Sequence, residues 1–115
     1  MNLLIIAIDD PGHLEDFLAA LVELDVAGLR VLDSFSVMEM LAREAPIFAG
    51  LRQLVTSPKG ESKTILGLTK DDDILARLDR LLRKVGLDFD RSTGGYALLV
   101  PVSQWIGHPD LENDS

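Results

Sequence analysis

Residues 3 to 8 read LLIIAI, six apolar side chains with no polar one between them. A strand with one wet face alternates apolar and polar residues, whereas an unbroken, Ile-rich run is a strand covered on both faces. Leu3 to Ile8 therefore reads as a central strand, and the rest of the chain must supply its neighbours and its cover. The run is far too short for a signal peptide or a membrane span, and Asp9 and Asp10 interrupt it.

Working outward, DDPGH follows at 9–13. Asp10 is placed to cap a helix whose first position is Pro11, where a missing N–H costs nothing. Leu14, Phe17, Leu18 and Leu21, with Leu24 at the edge, make one helical face. Gly28 is a candidate stop, with Asp25 or Val26 as earlier alternatives. LRVLDSF (29–35) reads as a second strand, with Leu29, Val31 and Phe35 to one side. KTILGLT (63–69) reads as a third, with Ile65, Leu66 and Leu68 serving both faces. Asp71, Asp72 and Asp73 open a helix carrying Ile74, Leu75, Leu78, Leu81, Leu82 and Val85 on one stripe. Its acidic start and its Arg83 and Lys84 suit the helix dipole, and Gly86 stops it. YALLVPV (96–102) is the fourth strand; Pro101 has no N–H, so this strand lies at an edge or ends there.

The order is β-α-β, a long insertion, then β-α-β. Two such units predict an α+β fold, a ferredoxin-like sandwich with a four-stranded antiparallel sheet and both helices on one face. Strands one, three and four nevertheless carry apolar residues on both faces. The uncovered face would exceed the apolar patch a soluble monomer tolerates, which predicts a closed homo-oligomer built through it.

Residues 36–62 form the insertion, far longer than an ordinary connection of about 4–6 residues. Ser36 and Glu39 make an S-x-x-E capping box, predicting a helix from Val37 to about Glu44. Pro46 ends it and can open a second helix, with Ile47, Leu51, Leu54 and Val55 as a stripe. The stripe reads first as packing on the domain or a neighbour, and such an arm can also dock a protein partner.

The 115 residues fit one domain, here 1–106, with a polar tail at 107–115. There is no cysteine, which removes disulfides, thiolate metal sites and thiol catalysis and fits a cytoplasmic protein. Lys and Arg total 11 against 19 Asp and Glu, a net charge of −8. Nucleic acid is therefore no partner, since its phosphates would be repelled. Residues 1–28 hold six acids and no Lys or Arg, an asymmetry that serves solubility or offers an acidic surface to a basic partner or cation.

RSTGGYALLVPV (91–102) sets a glycine pair directly before the last strand. Backbone N–H groups at Thr93, Gly94 and Gly95 could nest an anion, helped by Arg91 or Lys63. Turn entry is the commoner use of such a pair.

The layout resembles the PII family of nitrogen-regulatory signalling proteins over residues 2 to about 106. AGLRVLDS (27–34) is similar to that family's second strand, Lys63 stands where a lysine marks the base of the family's T-loop, and GGYALLVPV (94–102) is similar to the B-loop running into the last strand. The resemblance implies a ferredoxin-like homotrimer that binds a small effector between subunits and signals through the loop. It fits the divergent PII-like proteins better than the nitrogen sensors. The insertion has no modifiable tyrosine, Tyr96 stands at the B-loop lysine position, and IGHP (106–109) replaces the two phosphate-gripping arginines. Three cations are thus missing, and charge-assisted contacts are the strong ones for phosphate. The expected effector is a small anion held by Lys63, Arg91, Thr93, Gly94 and Gly95, with ATP bound weakly or not at all.

Asp9, Asp10, His13 and Asp16 read as a capped, solvated helix end and not a metal site, and no cofactor is implied. Copper-tolerance trimers share the architecture, so fold by itself does not dismiss a metal. Ser34, Ser36 and Ser103 have no histidine partner for nucleophilic chemistry. Trp105 reads as a subunit anchor. Two other readings remain: a small ferredoxin-like enzyme with a pocket under the insertion, using Asp33 or Tyr96 as acid or base, and a purely structural trimer.

Overall fold

A computed structural model describes residues 1–44, 61–89 and 95–109. The elements are β1 (Asn2–Ile8), α1 (Leu14–Glu23), β2 (Ala27–Phe35), α2 (Val37–Glu44), β3 (Glu61–Thr69), α3 (Ile74–Lys84) and β4 (Tyr96–Pro101). The four strands form one antiparallel sheet in the order β2-β3-β1-β4, an α+β arrangement compatible with a ferredoxin-like fold. The apolar run is central, as its composition predicts: Ile6 faces Ile65 of β3 on one side and Ala97 of β4 on the other. The strand carrying Pro101 is an edge strand. The second helix expected in the insertion, with Ile47, Leu51, Leu54 and Val55, lies outside the described residues.

The alternation of β1 divides the sheet into two faces. Leu4, Ile6 and Ile8 are fully buried, and they share one core with Ile65, with Phe17 and Leu21 of α1, and with Ile74, Leu78 and Leu82 of α3. Both long helices therefore cover this face. Phe17 also meets Phe89 edge to face, with ring centroids 5.5 Å apart. Gly67 makes room for that cover: a Cβ there would come within 2.5 Å of Val26 Cγ1 and 3.1 Å of Leu29 Cδ2.

The opposite face carries Leu3 and Ile5, flanked by Leu66 and Leu68 on β3 and by Leu98 and Val100 on β4. Leu98 and Val100 are exposed, as are Leu32 and Tyr96 on the same side, and the other four are half-buried. This is the open apolar face that the doubly apolar strands predict.

The two helices end by the same device with different residues. After α3, Gly86 takes φ +82 and donates its N–H to Arg83 O, while Leu87 N–H donates to Leu82 O at 2.9 Å. After α1, Asp25 takes φ +59 and donates to Val22 O, while Val26 N–H donates to Leu21 O at 3.1 Å. Both are Schellman closures, and each joins two buried apolar residues across the turn. Asp25, and not Gly28, therefore ends α1. Gly28, at φ +60, instead supplies a β-bulge where the register of β2 shifts between Ala27 and Arg30. At the start of α1, Asp10 Oδ1 accepts from Gly12 N–H at 2.9 Å and caps a 3-10 turn over Pro11–His13 that leads into the helix.

Candidate functional site

The hairpin of β2 and β3 runs two residues further than the apolar pattern of 63–69 indicates. Ser34 pairs with Ser62 and Phe35 with Glu61. The extra rungs are held by side chains: Ser34 Oγ lies 2.7 Å from Ser62 Oγ, and Thr64 Oγ1 donates to Ser34 Oγ at 3.0 Å. These hydroxyls satisfy one another at the point where β2 leads into the insertion. Ser36 then caps α2, accepting from Glu39 N–H at 3.5 Å, and Ser36 O accepts from Met40 N–H at 3.0 Å.

At this end of the sheet Asp33, Ser34, Phe35, Ser62 and Lys63 line a small cleft of about 140 Å³. That is room for a few waters or a small polar ligand, given that a water occupies about 30 Å³. Lys63 Nζ donates to Asp33 Oδ1, directly across the strand pair. The Asp33 side chain is 80% exposed and the lysine 25%, so the pair is half in water and worth about 0–1 kcal/mol.

Among the residues expected to hold an anion, Lys63 and Gly95 are described; Arg91, Thr93 and Gly94 lie outside the described residues. Lys63 faces Ile8 across β3 and β1, and Gly95 abuts Ala7 and Ile8 on the other side of β1. The two thus share one end of the sheet with β1 between them, about 10 Å apart at the usual strand spacing. Gly95 has a packing reason of its own. A Cβ there would sit 1.8 Å from Ala7 O and 2.9 Å from Ala7 C, so only glycine lets the chain enter β4 this close to β1.

A further pair of carboxylates adjoins this end. Asp9 follows β1, and Glu39 of α2 is buried. Partial burial first, and the nearby Glu39 carboxylate second, push the Asp9 carboxyl above its ordinary range. These residues are thirty positions apart and no local pattern links them, so sequence reading could not find the pair. The Ser34–Ser62 rung was in principle legible by continuing the two-residue alternation past the last apolar residue.

The acid and base candidates of the enzymatic reading do not form a buried pair. Asp33 points largely into water, and Tyr96 is 58% exposed on the open face. His13 Nε2 lies 3.5 Å from Asp10 Oδ2 at the start of α1. Among the described residues no group of three or more acidic or histidine side chains gathers as a metal site, and no helix is long and apolar enough to cross a membrane.

No protein-family model matches the chain, and no curated protein matches it.

Proposed function

We propose that this chain is a PII-like regulatory protein, a homotrimer of ferredoxin-like domains that binds a small anionic effector between subunits and couples it to the 36–62 insertion. The observation that carries this reading is the position of the cleft. Asp33, Ser34 and Phe35 are the last residues of β2 before the insertion, and Ser62 and Lys63 are among the first of β3 after it. A ligand seated there touches both ends of the inserted segment. Its ordering energy is therefore spent where the chain enters and leaves that segment, which is what coupling requires.

The chemistry follows from the side chains. An oxyanion takes the Lys63 ammonium in place of Asp33, an exchange that costs little because Asp33 remains in water. Arg91, Thr93, Gly94 and Gly95 join the set in this reading across the subunit boundary, since Gly95 of the same chain stands about 10 Å from Lys63. α2 then carries the signal outward, with its Val37, Met38 and Met40, and Phe35 at the end of β2, exposed for a protein partner.

A thermal-shift panel of bicarbonate, 2-oxoglutarate, adenine nucleotides and divalent metals tests it. Bicarbonate or 2-oxoglutarate raises Tm, and Lys63→Ala removes the shift. Ligand at a hundred times its Kd adds about 2.7 kcal/mol, which is well within detection. Silence from every anion overturns the reading, and a shift with ATP alone overturns the argument from missing cations.

A further inference from the structure

The chain after β4 does not fray at once. Val102 N–H donates to Met1 O at 3.0 Å, beside the start of β1. Seven residues later Pro109 lies against Gly28 of β2, where a Cβ would come within 3.6 Å of Pro109 Cβ. Since β4 and β2 are the two edges of the sheet, residues 102–109 form a strap across its end. The strap is pinned at both ends, yet its middle is unpacked: Trp105 is 58% exposed and Ile106 101%. An aromatic and a branched aliphatic side chain held out on a fixed segment are what interface anchors are made of.

We infer that Trp105 and Ile106 seat on the open sheet face of a second copy of this chain. Charge selects the occupant. Two copies of a −8 chain repel wherever their acids face each other. The open face carries no acid within its strands and one base, Arg30, and residues 102–109 carry neither acid nor base apart from His108. These are two acid-free surfaces of one molecule, one an apolar sheet face and the other a segment that presents Trp105 and Ile106. A strap on one surface and a receptacle on another make a head-to-tail contact, which closes into a ring when the rotation allows. The inference deepens the self-association in the reading above and is independent of its effector.

Sedimentation of the full chain at tens of micromolar tests it, with two sets of variants. Trp105→Ala combined with Ile106→Ser removes the strap's anchor and leaves the core untouched. Leu98→Asp, with Leu32→Asp as a second choice should the first not fold, spoils the receptacle. Each variant sediments as a single chain, with association weakened at least about 30-fold, the loss expected for an interface anchor. Mixed in equal amounts, the strap variant and the face variant form a two-chain species, because one intact strap meets one intact face. A strap variant that keeps the wild-type mass overturns the inference while leaving the trimer standing. A wild-type dimer that the strap variant breaks supports the inference and overturns the trimer. A wild-type single chain overturns both.

Discussion

The two faces of this sheet are cut from the same strands. β1 sends Leu4, Ile6 and Ile8 to one side and Leu3, Ile5 and Ala7 to the other. The first set is fully buried under α1 and α3, and the second is only half-covered and borders exposed Leu98 and Val100. Apolar content differs little between them, so composition does not decide which face is a core. What lies opposite decides it, and both helices lie on the same side. The covered face stabilises the chain, and the open face keeps its apolar surface exposed or half-buried.

That contrast orders the expected effects of substitution. On the covered face Leu78→Ala leaves a cavity against β1 and costs about 2–5 kcal/mol, read from urea unfolding. A neutral result there would mean that α3 does not seal the core. At the junction of β1 and β4, Gly95→Ala drives a methyl into the Ala7 carbonyl and costs about 1–3 kcal/mol, with loss of β4 protection in amide exchange. On the open face Leu98→Ser changes the stability of the dilute chain by about 0.5 kcal/mol or less, as for other half-wet surface positions. If the proposed self-association holds, the same variant abolishes the rise of Tm with protein concentration that it entails. A loss as large as that of Leu78→Ala would erase the distinction between the faces.

The smallest effect is a pH dependence. Asp9 binds its proton more tightly folded than unfolded, so between its ordinary and its raised pKa the native state holds more protons, and stability falls as pH rises through that window. Asp9→Asn removes this slope. It raises Tm at about neutral pH and leaves it unchanged in acid below the ordinary carboxylate range, which a Tm-against-pH series resolves.

The central strand, the helical stripes and the open face were legible because each is a local pattern read against a fixed period. The end of α1 was not singled out by sequence. Gly28 and Asp25 both occur near it, and the choice was made by Val26, which packs with Leu21 only when Asp25 takes the left-handed turn. The start of β3 was misjudged by two residues, since Ser62 is polar and its partner Ser34 lies 28 residues away. The candidate site depended on such distant pairs throughout. Lys63 was singled out through the family resemblance, but its partner Asp33 and the Asp9–Glu39 proximity depend on register and on where α2 lies. The role of Gly95 was set by a carbonyl 88 positions earlier, which no reading of a glycine pair reveals.

The position of β1 bears on how the molecule is made. Its Asn2 pairs with Thr69 and with Pro101, so β1 waits for more than half of the sequence before its β3 edge closes and for nearly all of it before its β4 edge closes. At roughly 5–20 residues per second that delay is about 5–20 s. During it a six-residue oily ribbon has at least one bare edge, the condition under which nascent chains recruit chaperones or stick to one another. Slow translation and crowded polysomes should therefore lower the soluble yield of this protein more than they would for a helical bundle of equal length, whose contacts are local.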